Sequence, residues 1–394
     1  METIYLDHAA SSWPKPPQVW KAMQDCMEHY AANPGRGSHS MAGRKSHSMA
    51  VKASRTLFEG RKRLAKLFGV RNPNDISYAL NTTMALNQAI LGFLSEGDHV
   101  ICTSVEHNSV RRPLEYLKRR HGVQVTYVET DAAGNLNMDR VKEEVRSQTK
   151  LIVCSHSSNL LGSILPIASL GQLCEDKGIK LLVDAAQSAG VLPIDVGRMG
   201  IHMLAFPGHK SLLGPQGTGG LYLHPDLVLE PLLHGGTGSQ SEAIEQPNVR
   251  PDRYEAGTQN TVGIAGLIEG LKYIEEKTVE AIYAAEWSLT QRMMQGLNEI
   301  QGIQLLGPAA GEQRTGLVSF TMANADSSEV AFILDQSFGI AVRAGFHCTP
   351  LAHESAGTTE RGAVRASVGC FTTEAEVDRL VQAVGEIAQH IGSK

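Results

Sequence analysis

The sequence predicts an α/β fold, with a large domain on a mostly parallel seven-stranded sheet and a smaller α+β domain toward the C-terminus. Three observations carry that expectation. Short apolar runs alternate with amphipathic stretches through the first half of the chain, polar residues follow several of those runs directly, and the alternation gives way to a mixed order after Tyr254. Strands that alternate with helices pair in parallel and are covered on both faces, so they read as near-continuous apolar runs.

The 394 residues exceed one small core and fit a large domain with a smaller companion. The expected division gives 15–255 to the large domain and 1–14 with 256–394 to the small one. Pro16 and Pro17 suit the first turn of a helix reaching about Tyr30, and Met49, Ala53, Leu57, Leu64, Leu67 and Phe68 recur at helical spacing in a second. Strands are expected at 76–80, 99–103, 123–128, 151–155, 180–183, 203–206 and 220–223. Between the first five lie amphipathic helices at 83–94, 108–120, 138–147 and 167–177. The last three strands lie close together and are expected to form a partly antiparallel edge. Helices at 261–274 and 374–391 frame the C-terminal part.

Charged residues make up 20% and the formal net charge is -5, so no basic stripe offers itself to nucleic acid or to a membrane. The N-terminus METIYLDHAASSWPKP lacks the positive leader and apolar core of a signal peptide, and no apolar run is long enough to span a bilayer. A cytoplasmic protein is the expectation. The six cysteines are widely spaced without a CxxC pair, which argues against a disulfide framework or a zinc site. No metal is expected.

Open α/β sheets bind ligands at the C-terminal ends of their strands. The first such loop is Asn81-Thr82-Thr83, where a helix N-terminus and two hydroxyls suit a phosphate; an ordinary threonine N-cap is the plain alternative. Asp184 closes the apolar run LLVD with Gln187 three residues on. A carboxylate there needs a cationic partner such as a pyridinium, unless it merely caps the next helix. Gly208-His209-Lys210 follows MLAF and precedes GPQGTGG. A desolvated lysine becomes a usable nucleophile toward a carbonyl. The glycine loop fits neither a P-loop, because His209 separates glycine from lysine, nor a dinucleotide fingerprint, because it leads into a strand. Phosphate, pyridinium and aldehyde are the three handles of pyridoxal phosphate, and Thr83, Asp184 and Lys210 supply a partner for each in chain order. His107, in VEHNSV, adds a flat ring that could stack on the pyridine and move a proton.

With these residues in place the chain resembles the class V aminotransferase family of fold type I pyridoxal phosphate enzymes, and within it the group II cysteine desulfurases and selenocysteine lyases. The resemblance runs from YLDHAAS at the N-terminus through EHNS, SNLLG, VDAAQ, GHK, YEAGTQNT and VRAGFHC. It implies that Lys210 is the Schiff-base lysine, that Asp184 pairs with the pyridinium, that Gln187 contacts the phenolic oxygen and that His107 stacks on the ring. It implies a phosphate site of Thr82, Thr83 and His209, completed by Thr258 from the second subunit of a homodimer. Asn159 and Arg365 would bind the substrate carboxylate, with Arg343 as a second arginine near it.

Cys348 distinguishes a desulfurase from the transaminases of this fold. The resemblance implies conversion of L-cysteine to L-alanine with a persulfide on Cys348, for transfer to an iron-sulfur scaffold or another acceptor. Release of selenium from L-selenocysteine is the nearest rival, and a class V aminotransferase in which Cys348 is incidental is a third reading. Gly345 and Pro350 bracket the cysteine, and His347 and Arg343 are expected to favour its thiolate. Two departures stand out. Pro207 replaces the usual phosphate-binding serine, and the segment after Cys348 differs and adds His353.

Overall fold

The computed structural model describes residues 3–34 and 47–392. The chain opens with β1 (Ile4–Tyr5), α1 (Pro17–His29) and α2 (Ser48–Phe68), then enters an alternating region: β2 (Ile76–Ala79), α3 (Thr82–Phe93), β3 (His99–Thr103), α4 (Asn108–His121) and β4 (Gln124–Val128). It continues through α5 (Met138–Glu143), β5 (Thr149–Ser155), α6 (Ile167–Lys177), β6 (Lys180–Asp184), β7 (Met203–Pro207) and β8 (Gly219–Leu223). Every expected strand is present within a residue or two. The helix expected over 138–147 stops at Glu143, because the chain must turn there to enter β5, and the Thr149 hydroxyl takes the Arg146 N–H in that turn.

These strands form one seven-stranded sheet in the order β2-β8-β7-β6-β5-β3-β4. The antiparallel element differs from expectation. β6 and β7 pair in parallel, and only β8 runs the other way, between β7 and β2 rather than at the edge. The GPQGTGG loop is too short for a crossover helix, so β8 returns directly beside β7. The edge falls to β2, where the Tyr78 N–H donates to the Glu255 carboxylate (2.6 Å), itself ion-paired with buried Arg61 (2.5 Å). That side-chain acceptor occupies a backbone group that could otherwise template another strand.

Alternation along each strand builds two cores. Ile152, Leu181, Val183, Leu204 and Phe206 face one, with α2 and α7 (Thr261–Lys277); Leu151, Val153, Leu182, Met203 and Ala205 face the other, with α3 and α4. Phe206 packs on Phe68 with ring centroids 4.9 Å apart, and truncating either to alanine is expected to cost about 3–5 kcal/mol.

The remainder comprises α8 (Val279–Asn298), β9 (Ile303–Leu306), β10 (Leu317–Met322), α9 (Ser327–Phe338), β11 (Ile340–Ala341), β12 (Arg343–Gly345), α10 (Pro350–Ala356), β13 (Ala363–Ser367) and α11 (Glu374–Gly392). An antiparallel sheet, β12-β13-β10-β9, packs Phe320, Val318 and Val364 against α8 and α11 in a third core. Leu6 joins that core, and β1 pairs in parallel with β11, so the two ends of the chain are stapled together. Among the described residues no helix is long and apolar enough to cross a membrane.

Candidate active site

The loops at the C-terminal ends of β2, β3, β5, β6 and β7 converge on one cavity of about 210 Å³. Thr82, Thr83, His107, Asn159, Asp184, Gln187, His209, Lys210, Arg343 and Arg365 all border it; Cys348 and Thr258 do not.

At the phosphate-type corner the cap of α3 is Asn81, not a threonine: its side chain accepts from the Met84 N–H (2.9 Å). Because Asn81 holds the N-cap position, Thr82 and Thr83 fall within the first turn of α3 with their hydroxyls free for other contacts. Thr83 Oγ1 lies 2.7 Å from Ser109 Oγ, which in turn lies 2.8 Å from His107 Nδ1. His107 caps α4 through the same nitrogen, accepting the Ser109 N–H (3.0 Å). An accepting Nδ1 puts the ring proton on Nε2. Burial, with Lys210 and Arg343 nearby, lowers the His107 pKa to about 4, so the ring is neutral at physiological pH.

β6 delivers Asp184 to the cavity floor, where one oxygen accepts the Ala186 N–H (2.8 Å). No helix follows it, so the capping alternative fails; β6 enters tight turns that lead on toward β7. Burial raises its pKa to about 6, against the pull of the Ala186 bond and Lys210, and no cation pairs with it among the described residues. β7 delivers Gly208-His209-Lys210. A Cβ on Gly208 would collide with the Thr218 side chain, so glycine is required beside the returning strand. Desolvation lowers the Lys210 pKa to about 8, and its Nζ has no hydrogen-bond partner among the described residues. The peptide before it is heavily bound: the His209 carbonyl accepts from Ser12 N (3.2 Å), Ser12 Oγ (3.2 Å), Ser11 Oγ (3.3 Å) and Lys15 Nζ (2.6 Å).

Opposite lie the groups suited to a carboxylate. Arg365 is buried on β13, bonded to Asp7 (3.0 Å) and to the Asn159 carbonyl (2.9 Å), with its Nε left without an acceptor. Arg343, on β12, places one nitrogen 3.7 Å from Cys348 Sγ. The cysteine sits in a short connection between β12 and α10, where His347 (φ +48°) and Cys348 (φ +60°) are both left-handed without being glycine. Such residues cost about 1–3 kcal/mol each and persist only where surrounding contacts hold them. Of the cationic or proton-accepting character expected of His347 toward the thiol, the cationic part is not met. Its Nε2 donates to the Ala363 carbonyl (2.9 Å) and burial lowers its pKa to about 3, leaving a neutral structural ring stacked on His353.

Reading the sequence missed the residues that act through the named ones. Ser109 links Thr83 to His107. Glu106, its pKa raised by burial to about 7, accepts from the Ser155 N–H and hydroxyl and holds the mouth of β5. Asp7 neutralises part of Arg365. A capping analysis of EHNS could have found Ser109; nothing local marks Glu106 or Asp7. Pro207 ends β7 paired with Gly219 and does not border the cavity.

The class-V aminotransferase family model matches residues 4–380. A probable cysteine desulfurase of Methanothermobacter thermautotrophicus is 35% identical, over 98% of this chain and 94% of its own. A cysteine desulfurase of Haloferax volcanii is 31% identical, over 97% and 88%. The apo structure of a cysteine desulfurase from Thermococcus onnurineus NA1 superposes with a TM-score of 0.91 at 32% identity, covering 99% of this chain and 95% of that one.

Enzymes of this kind depend on pyridoxal phosphate. The cavity fits that cofactor: a buried carboxylate without a cation, a desolvated lysine without a partner, and a helix N-terminus flanked by hydroxyls are the complements of its three handles. The match across nearly the whole length, the shared fold and this fit lead to one conclusion: the chain belongs to the class-V aminotransferase family and is pyridoxal phosphate-dependent.

Proposed function

We propose that the protein is a cysteine desulfurase, taking sulfur from L-cysteine to leave L-alanine and a persulfide on Cys348. The observation that carries this reading is the placement of a cysteine thiol 3.7 Å from Arg343, which lines a cavity that also presents Lys210, Asp184 and Arg365. When bound, pyridoxal phosphate supplies an electron sink for charge left at the substrate α-carbon. Lys210 would hold the cofactor and take the α-proton on Nζ. Asp184 would hold the pyridinium, Gln187 the phenolic oxygen, and Thr82, Thr83 and His209 the phosphate. His107, neutral with its proton on Nε2, would cover the ring. Arg365, Arg343 and Asn159 would orient the carboxylate. Cys348 Sγ, giving up its proton, then attacks the substrate sulfur: an S–S bond forms, the C–S bond breaks with its electron pair left on the carbon fragment, and that fragment takes one proton at Cβ and regains the α-proton from Lys210 to leave as alanine.

Thr258 is exposed and outside its own chain's cavity, while Glu255 in the same segment is anchored to β2; this supports a homodimer in which Thr258 serves the partner's phosphate site. Residues 4–9 reach the C-terminal part, through β1 with β11, Asp7 with Arg365 and the Ala9 N–H with Ser367 Oγ, which supports grouping 1–14 with 256–394, while Ser11 and Ser12 tie the same segment to His209 in 15–255. We read the protein as cytoplasmic, passing sulfur to an acceptor such as an iron-sulfur scaffold.

Purified holoenzyme offered L-cysteine and L-selenocysteine in parallel tests the proposal. Alanine from cysteine, with persulfide on Cys348 by mass spectrometry, is expected. Robust alanine from selenocysteine with none from cysteine would overturn it in favour of a selenocysteine lyase. Cys348→Ala retaining alanine formation from cysteine would point to an aminotransferase or other eliminating enzyme instead.

A further inference from the structure

The turn that presents Cys348 is closed by its own backbone bond, from the Thr349 N–H to the Phe346 carbonyl (3.0 Å), and its position is set by identifiable contacts from outside. The His347 carbonyl accepts from Asn159 Nδ2 (2.6 Å), and the His347 ring is tied to Ala363. The Cys348 carbonyl accepts from the Asn108 N–H (2.8 Å), Thr349 Oγ1 reaches the Val105 and Glu106 carbonyls (3.2 and 3.1 Å), and Arg343 approaches the thiol (3.7 Å). These contacts keep two consecutive non-glycine residues left-handed, a backbone state that relaxes when its restraints go.

Two of the restraints come from residues that also border the cavity. Asn159 and Arg343 lie with Arg365, whose buried Nε has no acceptor, and Arg343 has no carboxylate partner among the described residues. Two guanidinium groups and an amide facing one cavity form a site for a carboxylate. A ligand on Arg365 competes with the His347 carbonyl for the Asn159 Nδ2, and rotation of the amide toward the ligand lengthens its bond to that carbonyl. A carboxylate that draws in Arg343 likewise removes that cation from Cys348 Sγ.

We infer that Asn159 and Arg343 are positioning residues that couple occupancy of the carboxylate site to the Cys348 turn. With the site empty they hold the thiol back from the cavity. A bound amino-acid carboxylate recruits both and releases the strained turn, so that the thiol becomes free to advance only when there is a substrate to attack. A persulfide-forming cysteine would thereby be shielded from stray oxidants and electrophiles between turnovers. This rests on the reading of the cavity as an amino-acid site.

The test is alkylation of Cys348 by iodoacetamide in the holoenzyme, followed by peptide mass spectrometry, with and without saturating L-alanine, which carries the carboxylate and amine but no sulfur. Half-buried Cys370 is the internal reference. Alanine is expected to speed alkylation of Cys348 several-fold while leaving Cys370 unchanged. Asn159→Ala is expected to start at the faster rate and to respond little to alanine. A change in the visible spectrum of the bound cofactor shows that alanine has entered. If the spectrum changes while the Cys348 rate stays constant or slows, the coupling is overturned and the functional reading stands. If neither alanine nor cysteine alters the spectrum, the functional reading fails and takes the coupling with it.

Discussion

The Lys210 loop and the Cys348 turn each deliver one nucleophile at the end of a short strand, yet they are secured in opposite ways. Lys210 follows a strand buried along its whole length, and the carbonyl just before it accepts four donors from the N-terminal segment. Cys348 follows a half-buried strand, sits in left-handed backbone and relies on side chains that have other possible partners. A lysine that, on the proposed reading, lets go of the cofactor to take a proton and then returns to it gains from a rigid mount. A thiol that must reach out and later surrender a sulfur atom gains from one that can be released.

Replacing each nucleophile in turn gives the largest effects and could break the comparison. Lys210→Ala is expected to lose the visible absorbance of bound cofactor and to lower turnover by about 10²–10⁴-fold or more, in absorbance and alanine assays. Cys348→Ser should lose alanine formation from cysteine with the cofactor spectrum intact. Loss of the spectrum in Cys348→Ser would show that the two mounts are not independent.

A pH series sharpens the Lys210 side. Attack on the cofactor aldehyde needs the neutral amine, and desolvation lowers the Lys210 pKa to about 8. Capture of pyridoxal phosphate by apoenzyme should therefore accelerate as pH rises through about 8 and level off above it, a gain of roughly tenfold between pH 7 and 9 by stopped-flow absorbance. A rate still climbing beyond pH 10 would mean an ordinary solvated lysine.

The smallest effect tests the clamp. Lys15→Met removes a 2.6 Å charged donor from the His209 carbonyl, which is expected to cost about 1.5–3 kcal/mol of holoenzyme stability, read by denaturant unfolding. Cys348 alkylation should be unaffected, because Lys15 makes no contact with that turn.

The difference between the two regions also explains what could be read in the sequence. Thr83, Asp184 and Lys210 each follow an apolar run directly, so the rule that strand ends carry chemistry is enough to find them. Cys348 was visible as a residue, but its distance from the cavity was not, because that depends on backbone angles no side-chain pattern encodes. β8 was found as a strand and misplaced in the sheet, since an apolar run is silent about its direction. Asp7 and Glu106 act across tertiary contacts, on β13 and β5, and local spacing carries no trace of such partners.

The stapling of the two ends has a consequence for how the protein is made. Ala9 forms part of the cavity wall, yet its N–H is held by Ser367, 358 residues later. At ribosomal speeds of about 5–20 residues per second, that partner emerges on the order of 20–70 s after Ala9 does. The strands that carry Asp184 and Lys210 are synthesised well before then. The Ala9 carbonyl has its own partner there in Gln187 (3.1 Å), so the wall can lean on the large sheet first, and Ser367 fixes it only when the last strand arrives.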